Sequence, residues 1–170
     1  MNIKELIREV PNFPQDGILY KDITPLLKDP AGLSAAVQIM LEPFADSEVD
    51  VVVGIEARGF VFATPMALEL GCGFVPVRKP GKLPAATLRR EYALEYGETS
   101  LEIHTDAIAP GQKVLVVDDI LATGGTLVAT CQTLEELGAV VVGISVLAEL
   151  SFLSGRCLLH GYKLASAIVY

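Results

Sequence analysis

An α/β fold, with a central mostly parallel sheet flanked by helices, is predicted by three features of this sequence. Near-continuous apolar runs such as 49–54, 114–117 and 140–147 read as strands buried on both faces. Helical patterns alternate with them, as βα units require. The loops richest in charged, hydroxylic or small residues, 55–59, 78–98 and 119–126, each follow a strand. Ligands of parallel sheets bind at the carboxyl ends of strands, so these three loops are expected to converge on one sheet edge.

Ile3, Leu6, Ile7 and Val10 are spaced for a short amphipathic helix over 3–10, ended by Pro11 and Pro14. Residues 13–25 read as turn-rich, with an extended piece at Ile18-Leu19-Tyr20. Leu33 to Leu41 has a helical pattern. A strand over 49–54 leads through the loop 55–59 to a helix over 60–70, which Gly71-Cys72-Gly73 stops. Phe74 to Val77 is the next strand. Residues 80–98 hold two prolines, two glycines and many charges, with little apolar periodicity. A structureless connection of that length is usually a functional lid or disordered. Leu101 to His104 reads as a strand, and Pro110-Gly111 turn the chain into a strand over 113–119. A helix over 127–137, a buried strand over 140–147 and a last strand over 164–169 complete the pattern.

The 170 residues, 51% of them hydrophobic, suit a single domain spanning 1–170 with a substantial core. A net charge of −8 argues against a nucleic-acid partner, which a basic face would serve. Basic residues cluster locally at Arg78-Lys79, Lys82 and Arg89-Arg90, and a small anion responds to such a cluster rather than to net charge. Cys72, Cys131 and Cys157 are odd in number and far apart, which suggests neither a disulfide framework nor a zinc site; Cys131 is expected to be packed. No apolar run reaches membrane-spanning length, and Met1-Asn-Ile-Lys-Glu lacks a signal-peptide layout. A cytoplasmic chain without a membrane partner is expected.

The segment Val114-Leu-Val-Val-Asp118-Asp119-Ile-Leu-Ala122-Thr123-Gly124-Gly125-Thr126 carries the most chemistry. A buried strand ends in two carboxylates, and small or hydroxylic residues lead into a helix. The N–H groups at a helix start hold phosphate well. Carboxylates beside a phosphate need another task, and the paired 2′- and 3′-hydroxyls of a ribose supply it. The segment reads as a ribose-5-phosphate site, with Asp118 and Asp119 on the sugar and Ala122, Thr123, Gly124, Gly125 and Thr126 on the 5′-phosphate. The plainer alternative is a helix capped by Thr123 or Thr126. No Gly-Lys-Ser/Thr follows, so a Walker loop is excluded, and no Gly-x-Gly-x-x-Gly follows a strand here.

This segment resembles the phosphoribosyl pyrophosphate (PRPP) signature of the type I phosphoribosyltransferases. Four more stretches resemble the adenine phosphoribosyltransferases within that group: Phe13 to Pro30, Gly54 to Phe60, Val77 to Pro84 and Leu94 to Gly97. Together they span residues 3 to 150 in family order and spacing.

The resemblance implies transfer of the 5-phosphoribosyl group from PRPP to adenine, giving AMP and pyrophosphate. It implies pyrophosphate contacts from Ala57, Arg58, Arg78, Lys79 and Lys82, with Arg58 also catalytic. A surface ion pair of Arg58 with Glu56 or Glu69, and a solvated charged face for the other three, are the plainer alternatives. A hood over about 1–30 would hold adenine, with Tyr20 stacking on the purine and the backbone of Leu19 and Lys21 at its edge. The lid over about 80–98 would bring Glu95 as a catalytic acid/base and Tyr96 as a lining residue. Mg²⁺ is implied, held by PRPP and bridged through water to Asp118 or Asp119 rather than bound to the protein directly. A homodimer is implied, with the Arg78 to Lys82 region reaching toward the partner. Residues from Ser151 onward resemble the family weakly and suggest no separate activity. Two other functions fit the same motifs: a phosphoribosyltransferase for xanthine or hypoxanthine, or a non-catalytic regulator that senses PRPP.

Overall fold

The computed structural model describes residues 2–93 and 98–170. The chain divides into two compact units, Met1–Ile39 and Met40–Tyr170.

The N-terminal unit opens with a 3-10 turn, Ile3–Leu6, where the spacing predicts a helix over 3–10. Ile7 is already extended, and strand β1, Arg8–Pro11, pairs antiparallel with β2, Leu19–Asp22. Cross-strand charge decides this: Arg8 lies opposite Asp22 and Glu9 opposite Lys21. Arg8 Nη2 donates to Asp22 Oδ2 at 2.7 Å, and Lys21, only 6% exposed, pairs with Glu9. Opposite charges facing across a ladder favour the strand, and one turn of helix has too few bonds to compete. Ile3 and Ile7 are buried regardless. Helix α1, Thr24–Lys28, and most of α2, Pro30–Leu41, complete the unit.

The second unit is built on a five-stranded sheet. In chain order its elements are β3 (Val51–Ile55), α3 (Gly59–Leu70), β4 (Gly73–Val77), β5 (Thr87–Ala93), β6 (Glu98–His104), β7 (Lys113–Leu121), α4 (Gly125–Glu136), β8 (Val140–Glu149) and β9 (Leu164–Val169). The sheet order is β4-β3-β7-β8-β9, and every neighbouring pair is parallel. All five residues of β3 are buried, which explains its unbroken apolar run. Helix α3 packs on β3 and β7 through Phe62, Ala63, Met66 and Ala67, and ends at Gly71 with φ +66°. Helix α4 packs against β7 and β8, burying Leu127, Cys131 and Leu134.

The stretch 80–98 is not the structureless connection its composition predicts. Residues 87–93 form β5, which pairs antiparallel with β6 as a separate two-stranded sheet. Leu88, Arg90 and Tyr92 are half-buried while Arg89 and Glu91 are exposed. That alternation is strand periodicity, but the central inward position is an arginine, so no apolar pattern marks it. Arg90 Nε donates to Thr133 Oγ1 at 2.8 Å and Nη2 to Glu136 at 2.5 Å, docking β5 on α4.

Candidate active site

Strands β4, β3 and β7 are adjacent, so the loops that leave them meet. Around their carboxyl ends lies a cavity of about 400 Å³, a size that admits a sugar phosphate. Ala57 and Arg58 line it after β3, Arg78 and Lys79 after β4, and Asp118, Asp119, Ala122 and Thr126 at and beyond the end of β7. The three chemistry-bearing loops converge as their positions after strands require.

β7 runs two residues further than the pattern predicts, to Leu121, so the carboxylates lie just inside the strand rather than at its last two positions. The Asp119 N–H donates to Asp118 Oδ1 at 2.8 Å. Burial and the neighbouring Asp119 charge push the Asp118 carboxyl well above its ordinary range. Asp119 is also raised, because burial outweighs the attraction of Arg58. Gly59 opens α3 against this pair: a β-carbon there would lie 3.0 Å from Asp118 Oδ1 and 3.0 Å from the Val117 carbonyl. Only glycine lets the helix start approach so closely.

Arg58 pairs with neither Glu56 nor Glu69. Its Nε lies 2.6 Å from Asp119 Oδ2. The contact is ionic, and among the described residues Oδ2 accepts no hydrogen bond although it is buried. A buried oxygen in that state suits a hydroxyl donor from a ligand. Arg58 also stands at the start of α3, where no side chain caps the helix, and the preceding Glu56–Ala57 peptide bond is cis.

Glu56 binds Arg78 instead, with Nε and Nη2 each donating at 3.2 Å. It also accepts the Lys79 N–H at 2.8 Å. Burial pushes the Glu56 carboxyl up, but Arg78, the Lys79 N–H and the Lys82 charge hold it below its usual value. Arg78 therefore reaches the cavity already paired, and Lys82 does not line it; its carbonyl accepts from Arg78 Nη1 at 3.2 Å.

After β7 a smaller cavity of about 160 Å³ is lined by Ala122, Thr123, Gly124, Thr126 and Leu127. Neither threonine caps α4. The cap position is Gly124 at φ +88°, with no side-chain hydrogen bond, which leaves the helix start facing this hollow. The Thr126 hydroxyl lies 3.1 Å from the Tyr92 hydroxyl. Tyr92, Thr99 and Ser100 of the β5–β6 hairpin also line the larger cavity. No local pattern marks these three: the predicted strand begins only at Leu101, and the inward arginine masks the periodicity of β5. Glu95 and Tyr96 lie outside the described residues. Cys131 is buried, its thiol pushed up to about 12 by burial, as a packed rather than reactive cysteine would be.

In the N-terminal unit, Leu19 is exposed, Tyr20 half-buried and Lys21 buried along β2. The Tyr20 ring meets Phe13 edge-on at 5.1 Å.

Residues 23–156 match the model of the phosphoribosyl transferase domain family. The chain is 53% identical to an adenine phosphoribosyltransferase of Kosmotoga olearia, with both chains covered in full. A crystal structure of the adenine phosphoribosyltransferase of Thermoanaerobacter pseudethanolicus superposes with a TM-score of 0.96 at 52% identity, covering 99% of this chain and 98% of that one. That of the Saccharomyces cerevisiae enzyme, complexed with an imino-altritol bisphosphate and adenine, gives a TM-score of 0.91 at 38% identity, covering 97% and 96%. By this family match, by 53% identity over the full length and by these superpositions, the chain belongs to the adenine phosphoribosyltransferase family of type I phosphoribosyltransferases.

Proposed function

We propose that this chain moves the 5-phosphoribosyl group of PRPP onto N9 of adenine, releasing pyrophosphate and forming AMP in purine salvage. The supporting observation is a cavity that joins a carboxylate pair to an arginine at one helix start, beside a smaller hollow at the uncapped start of α4 that shares Asp118, Ala122 and Thr126 with it. The bond from C1 of the sugar to pyrophosphate breaks, a bond from C1 to N9 forms, and N9 loses its proton. Charge develops at the sugar ring and on the departing group, so the protein's work is positioning and electrostatics.

Asp118 and Asp119 accept hydrogen bonds from the 2′- and 3′-hydroxyls. Ala122 to Thr126 hold the 5′-phosphate at the start of α4. Ala57 and Arg58 hold pyrophosphate at the start of α3, where a planar guanidinium matches phosphate oxygens. Arg78, Lys79 and Lys82 add positive charge, moderated by Glu56. Tyr20 stacks on adenine, with the backbone of Leu19 and Lys21 at its edge. Glu95 takes or relays the N9 proton, and Tyr96 lines the site beside it.

Among the described residues no group of three or more His, Cys, Asp or Glu could hold a metal ion. Two carboxylates, one of them already facing Arg58, fit Mg²⁺ carried by PRPP and reached through water from Asp118 or Asp119. When bound, the ion neutralises charge on the leaving pyrophosphate. No helix among the described residues is long and apolar enough to cross a membrane; action in the cytoplasm is part of the proposal. The homodimer is part of the same proposal and rests on family membership.

The test is direct. The protein is incubated with PRPP, Mg²⁺ and an equimolar mixture of adenine, hypoxanthine and xanthine, and the nucleotides are identified. AMP and stoichiometric pyrophosphate are expected. A hypoxanthine or xanthine nucleotide as the main product would move the specificity to another purine, and no nucleotide at all would leave only a PRPP-binding role.

A further inference from the structure

Residues 151–170 have no part in the roles assigned above, yet they touch the 5′-phosphate loop. After β8 the chain makes a 3-10 turn, Ser151–Leu153, and then a second, Gly155–Leu159. Gly155 lies directly against the loop. A β-carbon at Gly155 would lie 2.1 Å from the Ala122 carbonyl oxygen and 2.9 Å from the Gly124 nitrogen. Reciprocally, a β-carbon at Gly124 would lie 2.5 Å from the Gly155 carbonyl oxygen. The closest contacts are backbone to backbone, with the Leu121 side chain also 2.9 Å from a Gly155 β-carbon.

The next residue anchors the contact. Arg156 donates from Nε and Nη2 to the buried Glu149 at 2.9 and 2.5 Å, from Nη2 to Ser166 Oγ at 3.1 Å, and from Nη1 to the Leu164 carbonyl at 3.3 Å. Ser166 Oγ also donates to Glu149 at 2.6 Å. Glu149 ends β8, and Leu164 and Ser166 belong to β9. The guanidinium thus fixes the Gly155 backbone to the frame of the sheet, and a planar bidentate pair holds a narrower geometry than a point charge would. The Leu150 N–H donates to the Leu121 carbonyl at 2.9 Å, joining the same two segments on the other side.

We propose that Gly155 and Arg156, with Glu149 as anchor, are positioning residues that set the shape of the 5′-phosphate loop from behind. The inference rests on the reading of Ala122 to Thr126 as the phosphate cradle. Cradle N–H groups must converge on one anion within a few tenths of an ångström, so a rigid backing surface governs affinity without touching the ligand.

Ribose 5-phosphate and Mg²⁺-pyrophosphate probe the two halves of the cavity separately by calorimetry. Gly155→Ala and Arg156→Ala, each confirmed to be folded at the assay temperature, are expected to weaken ribose 5-phosphate at least about tenfold, the equivalent of one charge-assisted hydrogen bond. Pyrophosphate affinity should stay within about twofold. Arg156→Lys should restore part of the loss, and Leu158→Ser, an exposed neighbour, should change nothing. If Gly155→Ala fails to fold, the Arg156 pair carries the test. Folded Arg156→Ala with wild-type ribose 5-phosphate affinity overturns the proposal, and so does equal loss of both ligands. If the wild-type protein binds no ribose 5-phosphate, or Thr126→Ala leaves its affinity intact, the cradle reading itself fails and the inference falls with it.

Discussion

Asp118 and Asp119 show how function is placed in this chain at some cost to the fold. Two adjacent carboxyls whose pKa values are raised carry charge only against the preference of their surroundings. A carboxyl raised on folding binds its proton more tightly in the native state. The native state is therefore penalised as pH rises above the ordinary value of 3.8 and through the raised one. Asp118→Asn keeps the oxygen that accepts the Asp119 N–H and removes the charge. It should raise stability at pH 7 by about 0.5–2 kcal/mol, or several degrees in Tm, while weakening ribose 5-phosphate. The stability gain should shrink on acidification as the wild-type carboxyl protonates. A variant less stable than wild type at pH 7 would contradict the burial argument. Arg58 adds a second test. Arg58→Ala should weaken pyrophosphate and PRPP by roughly tenfold or more, the usual loss of a charged hydrogen bond, and AMP less. AMP should still suffer, because Asp119 loses its counter-charge. Equal collapse of AMP and pyrophosphate would place Arg58 on the 5′-phosphate instead. The ribose and phosphate residues were legible because consecutive residues make the motif. The Arg58–Asp119 and Glu56–Arg78 pairings were not, since a side chain's partner across the sheet leaves no local pattern.

At the scale of elements, the parallel strands were legible because burial on both faces demands uninterrupted apolar residues. Strand β9 was read to its exact bounds, Leu164–Val169. In the two small antiparallel ladders the extended piece at 18–20 and the strand at 101–104 were legible, and their partners β1 and β5 were not. β1–β2 is specified by cross-strand ion pairs, and β5 by an inward arginine that packs its stem against α4 and satisfies its head with Thr133 and Glu136. The hairpin also lends Tyr92, Thr99 and Ser100 to the cavity wall, so its docking bears on the site. Arg90→Ala should loosen that docking by about 1 kcal/mol, a partly exposed charged contact being worth little more. Amide exchange over 87–92 should then quicken about fivefold, with the amides of β7 unchanged. Unaltered exchange in 87–92 would mean that Leu88 and Tyr92 alone hold the hairpin on α4.

Over the whole molecule, ligand binding and folding are one equilibrium. Any ligand of the native state alone adds stability, about 2.7 kcal/mol at a hundred times its Kd, which for a chain of this size is roughly 5–10 °C in Tm. The carboxylate pair makes that gain depend on pH. In the free protein the raised carboxyls take up protons early as pH falls, and a protonated carboxyl can no longer accept both ribose hydroxyls. Binding AMP in acid must therefore first expel a proton, and the stabilisation by AMP should fall as the pH is lowered. The phosphate of AMP gains a proton near pH 6 as well, so wild type is compared with Asp118→Asn, in which the phosphate and Asp119 contributions remain. The AMP-induced rise in Tm should decline more steeply with acid in wild type than in the variant. Parallel profiles would mean that Asp118 does not accept a hydrogen bond from the bound sugar, and would leave Asp119 as the carboxylate that reads the ribose.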